Sequence, residues 1–441
     1  MDHSFRLSPV VATTAGLILG LRGQQPAPSF GFRASPAAND AQREREREVV
    51  RYDGESHLMT FGSTGSGKTS GPVISNALEH PGSLISIECK GEVYAATADH
   101  RRRMGQQVVL LSLRGEDSGG EDQGAFNPVD GFLTAGGGSG LTARSIAATI
   151  VPRGGEDIFW RNWAETMLTG GISYTLDHAP EGQRNLSHVF DIFNNDDVVY
   201  NLAVLMDKHG RDLDRSAYSA FAGFLQLPEK ETRPSVLGST QQHLMLWESD
   251  LIRKVTGRTS FDLQGLVRGD PISLYIVVPP LRMAAYVPVL RLWLAALLSA
   301  LMSRTEQPRH RTLMLCDELG ALGRVEAFVT ASTLLRSAGL QLWSFWQNPA
   351  QLDLYGADAR TLVDNAGVLQ MLGAKNHRAA GEFAALVGGV TADRVMAMGP
   401  NEQLVIVDGG APQILDRFRY FEHPWFAQAA RSLGRPSLTS P

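Results

Sequence analysis

The rhythm of hydrophobic and polar positions changes several times along the chain. HLMTF at 57–61 predicts a strand, 62–68 a glycine-rich loop and 69–79 a helix. LISIE at 84–88 predicts a second strand, 91–104 a helix, and QVVLLSL at 107–113 a third strand. Strands alternating with helices of this length predict a mainly parallel sheet covered on both faces. An acidic, glycine-rich stretch at 115–126 reads as an exposed loop, and beyond it the strand signal fades. From 141 to 250 the runs WRNWAETMLTGGISYTL and SAYSAFAGFLQL favour helices. Strand runs return at 273–278, 312–316, 340–345 and 403–407. The fold class expected is α/β, interrupted by an inserted all-α domain.

Composition narrows the choices. The 441 residues are 43% hydrophobic, with 45 Gly and 22 Pro, which is enough chain for two or three domains and excludes fibrous, disulfide-stapled and wholly disordered classes. A formal net charge of −5 excludes a protein that coats nucleic acid by bulk charge, so any DNA-facing surface must be local. Cys89 and Cys316 form no CxxC pair, which fits a reducing compartment rather than a zinc or disulfide framework. The apolar run at 284–302 contains Pro288 and Arg291 and reads as a buried core helix, and the run at 10–21 is too short to span a bilayer.

The chemistry begins at Gly62-Ser63-Thr64-Gly65-Ser66-Gly67-Lys68-Thr69, a full G-x-x-x-x-G-K-[ST] motif between a predicted strand and a predicted helix. Small residues let backbone N–H groups turn around phosphate oxygens, Lys68 reaches the β- and γ-phosphates, and Thr69 can ligate Mg²⁺. Asp317 and Glu318 end the apolar run LMLC. With the glycine loop they predict a magnesium-holding carboxylate and a residue that activates the attacking water. Lys68 and Asp317 stand 249 positions apart, and the helical insert absorbs that surplus. Gln347, at the tip of the 340–346 run, is placed to sense a γ-phosphate or hold the lytic water. Arg336, four residues before that run, could stabilise transferred charge, though alone it reads as a helix-end or salt-bridge residue. His100-Arg101-Arg102-Arg103 is read first as a favourable helix C-terminus and second as a DNA contact, Pro308-Arg309-His310-Arg311 as an exposed turn, and Trp160 with Trp163 as core.

The order of motifs resembles the type IV secretion coupling proteins, the conjugative DNA-transfer ATPases. The resemblance runs through STGSGKTSGPVISN, ECKGEVY, NPVDGF, FWRNWAETML, DELGALGRVEAF, LRSAGLQLWSFWQNPAQLDLYG and MGPNEQLVIVDGGAPQILDRFRYF. It implies a RecA-like P-loop motor using ATP and Mg²⁺, assembled as a homo-hexameric ring, in which Arg336 completes a neighbouring subunit's site. It further implies DNA, single- or double-stranded, gripped by pore loops, with relaxase, relaxosome or effector proteins and secretion-channel components as partners. Under this reading 1–56 is an N-terminal strand and flexible loop, 57–140 and 251–426 are the two parts of the nucleotide-binding domain, 141–250 is the all-α insert and 427–441 a disordered tail. An adaptor recruiting protein effectors, or a ring DNA pump unrelated to secretion, are the rival functions. Family members usually carry two N-terminal transmembrane helices, and none is read in this sequence. The expected location is therefore cytoplasmic, peripheral at the inner membrane. Glu88 stands where the family usually has Asp, while Lys90 and Glu92 match the family without an assigned role.

Overall fold

A computed structural model describes residues 16–23, 47–115, 120–151, 157–317 and 319–431. The loop expected within 24–46, the centre of the acidic loop at 116–119, Glu318 and the tail from 432 lie outside the described residues.

Eleven strands form one sheet: β1 Leu17–Arg22, β2 Glu48–Tyr52, β3 His57–Phe61, β4 Leu84–Glu88, β5 Gln107–Ser112, β6 Ile272–Val277, β7 Thr312–Cys316, β8 Leu340–Trp346, β9 Ala366–Met371, β10 Glu402–Val407 and β11 Gln413–Asp416. Their order is β2-β1-β11-β10-β9-β3-β8-β7-β4-β6-β5. From β9 to β5 every neighbouring pair is parallel, whereas β9-β10, β10-β11, β11-β1 and β1-β2 are antiparallel. The central strands are buried along their whole length, as continuous apolar runs require when helices cover both faces. Side-chain alternation splits each strand between two cores: Met59 and Phe61 enter one, and Leu58 enters the other.

The first core is covered by the helix Met283–Met302 and by the helical segment between β5 and β6. Met283–Met302 has the length and apolarity to cross a membrane, but its residues from Val289 to Leu301 are mostly buried against the sheet. Within the helical segment, Ile158–His178 is the central helix, started by Asp157, whose side chain accepts from the Phe159 N–H. Gly170 and Gly171 let neighbours approach it closely; a Cβ there would lie 2.6 Å from Ala220 Cβ and 2.5 Å from Phe193 Cε2. The second core packs under helices Ile74–Glu79, Glu92–Arg103 and Pro424–Ala429.

Four sequence readings need correction. The tail expected from 427 overlaps the helix Pro424–Ala429, which buries Phe426 and Ala429. The loop expected as exposed to 126 buries Asp122, Ala125 and Phe126. β2 falls inside the stretch expected as flexible loop; it is a half-exposed edge strand paired antiparallel to β1, so one face stays polar and the apolar signal is weak. Arg101 lies in the last turn of helix Glu92–Arg103, the first of the two readings, but its side chain is no DNA contact. It is fully buried and donates to Ser273 Oγ at 2.8 Å, Gly82 O at 2.6 Å, Ala77 O at 3.2 Å and the carbonyl of His80. It thereby satisfies the carbonyls that end helix Ile74–Glu79 and clamps that end to β6. Arg102 pairs with Asp99 and Asp122, and Arg103 donates to Ala429 O. Arg101 is internal structure, Arg102 is half-buried and Arg103 is exposed.

Candidate nucleotide site

The site lies where the parallel strands end, the edge at which open α/β sheets place ligands. β3 leads into the glycine loop, β8 and β7 lie successively to one side of it, and β9 lies to the other. The loop is pinned at its start by Gly62 N donating to Trp346 O at 2.9 Å, and closed by Ser66 N donating to Ser63 O at 3.0 Å. Gly65 and Gly67 have φ of +79° and +87°, a left-handed backbone that L side chains rarely adopt. With Gly65 open to solvent, the concave backbone forms a phosphate cradle. Residues Thr69–Val73 continue as one wide π turn into the helix Ile74–Glu79.

Lys68 is buried, and its Nζ donates back to the carbonyls of Gly62 and Ser63. The Thr69 hydroxyl donates to Asp317 Oδ2 at 2.9 Å, across 248 residues of sequence. Asp317 is held at the end of β7 by its own N–H, which donates to Ile87 O at 3.0 Å. A hydroxyl and a carboxylate brought together beside a phosphate cradle are hard oxygen donors, the set that suits Mg²⁺. Gln347 is half-buried at the tip of β8, between the glycine loop and β7. Arg336 is exposed at the opposite edge of the sheet, before β8 begins and close to His57 at the start of β3.

Sequence reasoning missed three supports. Gln351 Oε1 accepts from the Gln347 N–H at 2.7 Å, and its carboxamide packs on Gly320, where a Cβ would come within 2.4 Å of it. Gln351 therefore joins the loop after Asp317 to the tip of β8. Arg417 donates to Ser66 O at 2.9 Å, Leu372 O at 2.8 Å and Glu402 O at 2.9 Å, tying the glycine loop to β9 and β10. The third is Glu88, at the end of β4, whose carboxylate accepts from Val93 N at 2.9 Å and Tyr94 N at 2.8 Å and so caps the helix Glu92–Arg103. Lys90 and Glu92 form an exposed ion pair beside it, at 3.8 Å.

Burial pushes the Glu88 carboxyl up to about 7, against the pull of its two amide donors, and the negative charge of nearby Asp317 adds to the rise. The folded chain thus holds a proton that the unfolded chain releases near 4.5, so this group lowers stability progressively as pH rises from 4.5 through about 7. Glu88→Gln is expected to remove that slope. Melting temperatures of wild type and variant from pH 5 to 8 check it; curves that stay parallel would show that Glu88 titrates normally.

Residues 31–394 match the family model described as type IV secretory system conjugative DNA transfer. The chain belongs to that family. The conjugal transfer protein TraG of Escherichia coli is 27% identical over 322 residues, covering 69% of this chain and 50% of TraG. Protein VirD4 of Rhizobium radiobacter is 27% identical over 289 residues, covering 64% of this chain and 40% of VirD4. The chain thus spans half or less of the length of these relatives. Among solved structures, the bacterial conjugative coupling protein TrwB, in a form lacking its N-terminal segment, superposes with a TM-score of 0.63 at 15% identity, covering 88% of this chain and 87% of that one. TrwB has also been solved with ADP and Mg²⁺ and with a non-hydrolysable GTP analogue. The shared fold is an α/β sheet, mainly parallel, with a helical insertion.

Proposed function

We propose that this coupling-protein family member is an ATP-hydrolysing motor that recruits conjugative DNA, bare or protein-bound, and drives it to a type IV secretion channel. The observation that carries the reading is the Thr69–Asp317 hydrogen bond beside the glycine cradle, inside the span that matches the family. TraG is named for conjugal transfer and TrwB for conjugative coupling, and TrwB has been solved with ADP and Mg²⁺, which supports extending these roles to this chain.

In this mechanism the loop amides at 62–67 hold the phosphate chain. Lys68 exchanges its carbonyl acceptors for β- and γ-phosphate oxygens, and so carries positive charge to the place where negative charge develops. Thr69 and Asp317 would hold Mg²⁺, which when bound neutralises the phosphates and fixes their geometry. Glu318, next in sequence to Asp317, takes the role of orienting and deprotonating water. Gln347, braced by Gln351, reports the γ-phosphate to β8 and the loop after β7. Six copies in a ring would set Arg336 of one subunit against the phosphate site of the next.

DNA is expected to stimulate the ATPase severalfold, and the gene should restore transfer to a coupling-deficient plasmid donor. Steady-state rates with and without single- and double-stranded DNA, and mating frequencies, are the readouts. Equal rates in all three conditions would remove the translocase reading.

A further inference from the structure

β7, which leads into Asp317, lies between β8 and β4. Cys316 stands opposite Ser344 on β8 and opposite Ile87 on β4. Three residues further along these two flanks come Gln347 on one side and Lys90 on the other, level with each other just past Asp317. Adjacent strands run about 4.8 Å apart, less than the four-carbon stem and ammonium of a lysine can span. Lys90 therefore reaches the same space beyond the end of β7 as Gln347 does, from the opposite side.

The backbone under Lys90 is braced, and its head is loose. Before it, Glu88 is held through its carboxylate by the amides of Val93 and Tyr94, and its carbonyl accepts from Val278 N at 3.1 Å. From the end of β5, Arg114 donates to Lys90 O at 2.6 Å and to Cys89 O at 3.3 Å. After it, Gly91 turns the chain into the helix Glu92–Arg103 at a left-handed φ of +77°. The side chain itself is 65% exposed, and Nζ rests 3.8 Å from Glu92 Oε1, on a side chain 42% exposed. Water competes well with an exposed pair at that separation. A cation on a fixed mount, with only a weak resting partner, can pass to a stronger anion without disturbing the fold.

We propose that Lys90 is a catalytic residue, which leaves Glu92 when the site fills and donates to an oxygen of the terminal phosphate, facing Gln347 across it. The inference rests on the reading of the glycine loop as a nucleotide site. In hydrolysis the water oxygen bonds to the γ-phosphorus, and the bond to the bridging oxygen breaks with its electron pair going to ADP. The water proton passes to Glu318. Lys90 makes and breaks no covalent bond. Its ammonium meets the charge carried by the γ-oxygens during transfer, charge that one lysine in the glycine loop reaches only from the β-phosphate side. Lys90 stands on the same edge of the sheet as Lys68 and Asp317, so it serves its own subunit's nucleotide. Glu92 is the resting partner that keeps the ammonium at the site's margin between turnovers.

Turnover and calorimetry on the full chain test this, the latter with ADP and Mg²⁺ alone and with beryllium fluoride added to stand for the γ-phosphate. Lys90→Ala is expected to lower kcat by about 10²-fold with little change in KM. It should bind ADP within about twofold of wild type, yet lose about tenfold or more of the affinity that beryllium fluoride adds. Lys90→Arg should recover part of both losses, since it keeps the charge. Glu92→Gln breaks the same ion pair from the other side and should turn over as fast as wild type. A folded Lys90→Ala protein within about threefold of wild-type kcat overturns the assignment. So does an equal loss in Glu92→Gln, which would make the pair structural, or a loss of ADP affinity as large as the loss with beryllium fluoride. A wild type that binds neither ADP nor its beryllium fluoride complex overturns the glycine-loop reading, and the role of Lys90 falls with it.

Discussion

Lys68→Ala is expected to lower kcat for ATP hydrolysis by about 10²–10³-fold, the usual cost of removing one preorganised donor aimed at developing charge. Lys68 is buried under the loop and its ammonium sits among carbonyls, so water competes weakly for it and its charge acts at short range. Alanine keeps the glycine cradle and the Thr69–Asp317 contact, and nucleotide affinity should fall less than kcat. Lys68→Arg tests charge against geometry: arginine retains the charge, but its planar fork cannot occupy the space of a compact ammonium. The assay is turnover at saturating ATP and Mg²⁺, with a thermal melt to confirm folding. A folded Lys68→Ala protein within tenfold of wild-type kcat would place the chemistry elsewhere.

Legibility in the sequence tracks the physics of burial. The central parallel strands are mainly apolar because both faces are covered, so β3, β4, β6, β7 and β8 stand out as runs. The antiparallel flank is harder to read. β2 is a half-exposed edge, β9 has polar Gln370 buried among its apolar residues, and β11 is four residues long. Gln370 is tolerated because it exchanges hydrogen bonds with Thr60, Gln403 and Leu19 O, partners far away in sequence. The same reason hides Arg101, Gln351 and Arg417. A buried arginine held by carbonyls of 77–82, and another holding a loop 351 residues away, leave no local pattern. The phosphate motif is legible because its backbone demands glycine at fixed spacing.

Arg336→Ala is expected to abolish turnover by about 10³-fold or more, and to do so only through a neighbouring subunit. Geometry excludes the subunit's own site. Arg336 precedes β8, and the seven residues of that strand, at about 3.3 Å each, put roughly 20 Å between it and the edge that carries Lys68 and Asp317. No arginine side chain spans that distance. Its surroundings also keep its charge outward, because Arg311 donates to Arg336 O and contributes positive charge beside it, and His57 is buried nearby with its pKa lowered to about 4, first by burial and then by these cations. The ring proposed above would need head-to-tail contacts that set this edge against the next subunit's phosphate edge. Mixing therefore decides the matter. Lys68→Ala and Arg336→Ala proteins, each inactive alone, should recover activity when assembled together. In a random one-to-one ring about a quarter of the interfaces pair an intact Lys68 with an intact Arg336. Recovery towards that fraction, measured as ATPase rate against mixing ratio, is the trans signature. An Arg336→Ala protein that stays dead at every ratio while remaining folded and assembled would mean that the arginine supports its own chain rather than its neighbour's chemistry.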